Sequence, residues 1–252
     1  GKCYSCQRGH VNCCEYNETL GAQRDGAFSE YITMPFERIY DGKGLSPAVL
    51  AAIEPFCISY HGAVTQGRCS KGENVLVIGA GTIGTLAAVA AKSQGANVYI
   101  ADVAKKKLDY AQEQFNFAGT ILNEGESFIA KCMEVTNGHG FDVCIEAVGL
   151  PATFQNAIDA CAFAGRVVLI GVGKKNLDFN FTLLQKKELH VCGSRNALKQ
   201  DFLNLIDLVK GGNVPLEKVI TNTYSFSDAA KAFADFAAHG NEMLKVEINF
   251  EA

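Results

Sequence analysis

Four cysteines, Cys3, Cys6, Cys13 and Cys14, fall within the first fourteen residues, in the pattern C-x2-C-x6-C-C. Thiolates at this spacing, with a glycine-bearing loop between the pairs, can converge on one zinc ion; the same residues could instead form a disulfide framework. A structural zinc takes four ligands, which these four cysteines could supply, although adjacent residues rarely aim both side chains at one metal. A second chemical signature is Gly79-Ala80-Gly81-Thr82-Ile83-Gly84, a G-x-G-x-x-G string. The first glycine permits a tight turn, the second lets backbone approach a pyrophosphate, and the third allows close helix packing. The N-terminus of the following helix, which Thr82 and Ile83 open, favours the anion. Asp102 lies 18 positions after Gly84. There a carboxylate can accept hydrogen bonds from an adenosine ribose diol and repel a 2′-phosphate, so NAD(H) is expected over NADP(H). A glycine-rich turn that binds nothing is the bland alternative. Lys107 either packs near the adenine or is solvated, and Val148, Gly149, Gly171 and Val172, at later strand ends, are expected to line the cofactor as a group.

The elements that must position these residues follow from hydrophobic periodicity. Residues 75–78 form a β-branched and aliphatic run suited to a strand covered on both faces, and 82–93 a helix rich in small residues. Residues 97–102, 141–147, 166–170 and 189–192 read as further strands. Helices are expected over 105–115, 152–163, 198–210 and 227–238. Short apolar runs alternating with amphipathic stretches predict a doubly wound α/β sheet of about six parallel strands. Residues 28–34 read as an isolated strand, 219–224 and 244–250 as late strands, and the two chain ends are expected to pair beside the sheet.

Composition narrows the function classes. The chain has 252 residues, 48% of them apolar, so it can bury a real core and is not disordered. With 23 basic against 27 acidic residues, it carries no electrostatic footprint for nucleic acid. No uninterrupted run of about 18 apolar residues exists, so no membrane span is expected. The remaining six cysteines, Cys57, Cys69, Cys132, Cys144, Cys161 and Cys192, are scattered in apolar surroundings and read as buried thiols of a cytoplasmic protein.

Taken together, the glycine string, its acid and the cysteine cluster resemble the zinc-containing medium-chain dehydrogenase/reductases, especially the polyol, sugar-acid and threonine dehydrogenase branch. The resemblance covers essentially the whole chain. It implies a Rossmann domain over residues 56–195, and a remnant of a GroES-like catalytic domain over 1–55 to which 196–252 return. In that family the zinc lobe reads C-x2-C-x2-C-x7-C, which makes Cys3, Cys6 and Cys14 structural zinc ligands and leaves Cys13 as a neighbour. The segment Ile53-Glu54-Pro55-Phe56 resembles the E-P segment that enters the catalytic zinc cleft, so Glu54 would sit at that metal, directly or through water; the alternative is a helix-start acid preceding Pro55. His61 is either catalytic or packed within the lobe. Arg195, in Gly193-Ser194-Arg195-Asn196, would point toward cofactor or substrate oxygens, and Lys245 would reach the cofactor pyrophosphate. The activity implied is NAD-dependent oxidation of a secondary alcohol of a polyol or sugar acid to a ketone, by a homodimer or homotetramer. The family's other catalytic ligands lie upstream of the zinc lobe. The 252 residues therefore read as a fragment expected to bind NAD(H) with little turnover, or else as a non-catalytic nucleotide-binding module.

Overall fold

The protein is described by a computed structural model over residues 1–250. Its centre is a six-stranded parallel sheet: β1 (Asn74–Ile78), β2 (Asn97–Asp102), β3 (Gly119–Leu122), β4 (Phe141–Glu146), β5 (Cys161–Leu169) and β6 (His190–Gly193), in the order β3-β2-β1-β4-β5-β6. The order reverses between β1 and β4, which opens a crevice at their carboxyl ends. A short helix α1 (Tyr4–Gln7) lies in the cysteine-bearing segment, and helices flank the sheet: α2 (Pro47–Tyr60), α3 (Thr82–Ser93), α4 (Lys105–Phe115), α5 (Ser127–Val135), α6 (Pro151–Ala160), α7 (Thr182–Lys187) and α8 (Lys199–Lys210). The central strands are buried on both faces: Val75, Leu76, Val77, Val143, Cys144 and Ile145 are fully inaccessible. Each such aliphatic side chain contributes about 1.5–3 kcal/mol on removal from water.

Two apolar clusters form, one on each face of the sheet. The first joins α2, α3 and α8 to β1 and β4, and the second joins α5 and α6 to the opposite face. The scattered cysteines lie in these clusters, where burial pushes the thiols of Cys57, Cys69 and Cys132 up, the last two to about 12.

Several expectations need correction. Helix α6 stops at Ala160, and β5 begins at Cys161, five residues before the expected strand. Lys187 donates to the carbonyls of Ile158, Asp159 and Cys161, which satisfies the helix end at that point. Residues 28–34 form no strand. Instead, Phe28 packs its ring against Phe226, Phe233 and Phe250. The late strands β7 (Ile220–Ser225) and β8 (Lys245–Asn249) pair with each other in parallel across helix α9 (Ala229–His239), so the N-terminal segment meets the C-terminal one through aromatic rings and not through a ladder. Helix α2 begins earlier than the E-P segment, at Pro47 behind a Ser46 cap, and continues as a π-turn over His61–Gln66. The combined 20-residue helix is long and apolar enough, by length and composition alone, to cross a membrane, but 56% of its most apolar window is buried inside the protein, which marks it as the core helix.

Candidate functional site

The 79–84 turn is shaped by what its glycines exclude. Gly79 has φ +109°, a left-handed backbone that favours glycine, and a Cβ there would stand 2.8 Å from Val148 on the neighbouring strand end. A Cβ on Gly84 would stand 1.8 Å from the Gly79 carbonyl oxygen, so the turn closes onto α3 without room for a methyl group. Gly81 faces open space instead. It is also the N-cap of α3 and offers no side chain to the helix's first amides, which are left to meet an anion. Asp102, half-buried at the end of β2, accepts from Ala80 N–H at 2.6 Å through one oxygen and from Ala104 N–H at 2.8 Å through the other. Its carboxylate is thereby fixed beside the turn, with lone pairs to spare for a diol. Lys107 lies in the first turn of α4, partly exposed, in the helix that follows Asp102.

The chain's end roofs this turn. Thr82 donates its hydroxyl to the Leu244 carbonyl at 2.6 Å, immediately before β8. A largely apolar cavity of about 370 Å³ opens there, lined by Pro55, Thr82, Ile83, Phe233 and Leu244 with Lys245 at its wall. Lys245 therefore sits beside the uncapped helix end.

At the ends of β4 and β5, Glu146 is 2% exposed and accepts from the amides of Val148 and Gly149 and from the Thr153 hydroxyl. Gly149, at φ +85°, passes so near the 171–173 segment that a Cβ would meet Val172 backbone at 2.7 Å, and one on Gly171 would meet Gly149 nitrogen at 2.3 Å. Val148 and Val172 project outward from this junction, exposed. The four expected lining residues thus form one locked junction, and Glu146, which the sequence reading missed, is its centre.

Cys3, Cys6 and Cys14 bring their sulfurs within 4.8 Å of one another, with Cys3 at 3.4 Å from Cys6 and 4.0 Å from Cys14. Four thiolates about 2.3 Å from a tetrahedral zinc would stand about 3.8 Å apart, so the three fit that ion. Hydrogen bonds from the main chain of Glu15 and Cys6 draw the Cys3 thiol down to about 7, favouring the thiolate a metal binds; the Cys6 thiol, sharing its proton with the Cys3 sulfur, is pushed up. Cys13 is exposed and stands outside the cluster. Among the described residues it is the single group of metal-ligating side chains.

The other candidates are placed differently. Glu54 lies in the middle of α2 and is exposed, so it is not a helix-start acid. The adjacent Pro55 lines the apolar cavity. His61 is 1% exposed, and its contacts are those of the packed alternative. Its Nδ1 lies 2.7 Å from Asp201 Oδ2, while its Nε2 stands 3.3 Å from the amide nitrogens of both Asn12 and Gln66. With Nδ1–H donating to the carboxylate, Nε2 is the acceptor for those amides, and no ring nitrogen remains for substrate. Asp201 also accepts from Thr65 and Leu198; burial raises its pKa, but these hydrogen bonds and His61 outweigh it and hold the carboxyl below its ordinary value. Arg195 is exposed just beyond β6, and its carbonyl accepts from Asn12 at 2.9 Å. Asn12 and Asp201 gave no sequence signal, because the contacts that join them to His61 and Arg195 span 49 to 183 positions of chain.

Known proteins resemble this chain in sequence and fold. Residues 82–211 match the family model described as zinc-binding dehydrogenase. The chain is 33% identical over 249 residues to L-galactonate-5-dehydrogenase of Escherichia coli (strain K12), which covers 99% of this chain and 73% of that protein. It is 29% identical to sorbitol dehydrogenase of Halalkalibacterium halodurans, covering 98% of this chain and 72% of the relative. Among solved structures, an alcohol dehydrogenase from Escherichia coli CFT073 complexed with NADH superposes with a TM-score of 0.89 at 28% identity, over 98% of this chain and 72% of the other. The glycine turn, the doubly wound sheet and the thiol cluster agree with these likenesses: the chain belongs to the zinc-binding dehydrogenase family.

Proposed function

We propose that these residues form the dinucleotide-binding part of a zinc-containing, NAD(H)-dependent dehydrogenase that oxidises a secondary alcohol of a small polyol or sugar acid to a ketone. The observation that carries this reading is the glycine turn: open space at Gly81, an uncapped α3 and the fixed carboxylate of Asp102 at one crevice. The α3 amides hold the pyrophosphate, with the Lys245 charge beside it, and Asp102 accepts from the adenosine ribose. Ile83 and Pro55 give an apolar wall that keeps water from the reacting end of the cleft. Val148, Gly149, Gly171 and Val172 line the cofactor, Lys107 stands near the adenine, and Arg195 faces cofactor or substrate oxygens. Cys3, Cys6 and Cys14 hold a structural zinc. When bound, the nicotinamide supplies the hydride acceptor and a catalytic zinc the Lewis acid.

Within this reading, residues 1–55 and 196–252 belong to the catalytic domain and 56–195 to the nucleotide domain. The edge strand β6 is the face on which a homodimer, or a homotetramer built from dimers, would assemble. Among the described residues Glu54 is the one candidate ligand of the alcohol-oxidising metal, and one carboxylate holds zinc weakly against the three protein ligands a catalytic site needs. The 252 residues therefore bind NAD(H) with little turnover. A non-catalytic nucleotide module is the second reading, against which the intact Glu54-Pro55 segment argues.

Titration of the 252-residue chain with NADH, followed by assay against polyols and sugar acids, tests both readings. NADH should bind, and Asp102→Asn should weaken it about tenfold through loss of charge-assisted hydrogen bonds to the ribose. Wild-type protein that ignores NADH defeats the dinucleotide reading, and rapid polyol turnover defeats the claim of low activity.

A further inference from the structure

Of the first fifty residues only Cys3, Cys6 and Asn12 are buried. Asn12 sits in the turn Val11–Cys13, on the stretch joining Cys6 to Cys14. Its side-chain nitrogen donates to the Arg195 carbonyl at 2.9 Å, and its own carbonyl accepts from the Asn196 side chain at 3.1 Å. The cysteine lobe and the segment after β6 are thus joined by a reciprocal pair of hydrogen bonds across more than 180 positions of chain. Asn12 Oδ1 is buried without a partner, so its amide is oriented by what it donates to, including the contact with His61 Nε2.

The segment so gripped is under constraint. Asn196 has φ +49°, a left-handed backbone uncommon outside glycine that persists where surroundings enforce it. Ser194 N–H is tied to the Leu169 carbonyl, and Leu198 N–H to the Asp201 carboxylate, so both flanks are anchored. Arg195 lies between the anchors at the carboxyl end of β6, the ligand side of a parallel sheet. The lobe has no apolar core of its own. What keeps the Asn12 turn in place is therefore the convergence of Cys3, Cys6 and Cys14.

We infer that Asn12 is a positioning residue that makes dinucleotide affinity depend on metal occupancy of the cysteine lobe, by fixing Arg195 and Asn196 at the end of β6. The inference rests on the reading of the lobe as a zinc site and of the crevice as a dinucleotide site. Its core claim, that the lobe's metal orders residues 194–198, can be measured without nucleotide.

The test compares the zinc-loaded and chelator-treated 252-residue chain, as wild type and as Asn12→Ala, by amide hydrogen exchange over 194–198 and by NADH titration. In wild type, chelation should speed exchange there and weaken NADH about fivefold, the size of effect expected for one or two hydrogen bonds. Zinc-loaded Asn12→Ala should show both changes already, with chelation adding nothing. Asn196→Ala removes the other hydrogen bond of the pair while leaving Asn12 and every cysteine in place, and should reproduce the result with zinc content unchanged, which covers the case where Asn12→Ala fails to hold metal. Wild-type exchange over 194–198 that ignores chelation, or Asn196→Ala that exchanges like wild type, overturns the inference. Absence of NADH binding by wild type would sink the function reading instead, while the exchange data still decide the coupling.

Discussion

The parallel sheet and the cysteine lobe of this protein reach order by opposite means. In β1 and β4 almost every side chain is inaccessible, and the ends of the strands approach so closely that the 79–84 and 149–173 turns leave no room for a Cβ at Gly84 or Gly171. The lobe buries two thiols and one amide, and exposes Tyr16, Tyr31 and Phe36. The first region is fixed by close packing, which is dense and intolerant of added volume. The second is fixed by a few directed contacts, so its order should follow the state of those contacts. The same molecule therefore holds a rigid crevice and a conditional neighbour, joined through Asn12, His61 and Asp201.

The contrast can be broken most severely from the sheet side. Gly84→Ala drives a methyl group into the Gly79 carbonyl, and should cost upward of ~3 kcal/mol in denaturant unfolding while abolishing NADH binding. Wild-type stability in that variant would mean the turn is not close-packed.

Next is the strut between the regions. Asp201→Ala leaves His61, Thr65 and the Leu198 amide without their acceptor, and should cost about 2–3 kcal/mol. Because the folded Asp201 carboxyl lies below its ordinary value, its contribution is complete above the unfolded pKa near 3.9 and is lost as pH falls through the lower folded value. Wild-type stability should therefore show an acid-side decline below about pH 4 that is reduced in Asp201→Ala, and unfolding curves of the two that stay parallel between pH 6 and 3 would count against the assignment.

The smallest effect on the sheet should come from the lobe itself. Cys14→Ser should lose the bound zinc, and Cys13→Ser should keep about one ion per chain, with global unfolding moved by less than ~1 kcal/mol in both. Metal analysis beside the unfolding curve checks this. An equal loss of zinc from both variants would place Cys13 in the ligand set.

How much of this was legible in the sequence follows the same division. The strands and helices from Asn74 to Phe115 matched expectation closely, since a buried parallel strand is a local aliphatic run and α3 and α4 carry their own periodicity. The glycine string and Asp102 were legible because their roles depend on spacing along one strand-turn-helix unit. Residues 28–34 were misread: aromatic and β-branched residues such as Phe28, Tyr31, Ile32 and Thr33 suit a strand, but a strand also needs a ladder partner, and Phe28 found three rings instead. Pro55 suggested a helix start, yet α2 absorbs it because Ser46 and Pro47 already supply that start and the surrounding core fixes the helix. Glu146, Asn12 and Asp201 are single polar residues with no pattern around them. Their burial is decided by which distant segments pack over them, and no local rule contains that information.

One bond at the crevice has a meaning for synthesis as well as for binding. The Thr82 hydroxyl is held by the carbonyl of Leu244, 162 positions later. Chains emerge from the ribosome at roughly 5–20 residues per second, and sheet units can fold as they appear. By that timing, the glycine turn can form many seconds before the residue that roofs it exists. A nascent chain thus passes through a stage with its anion-binding helix end made but uncovered, and the pocket is finished only when β8 arrives.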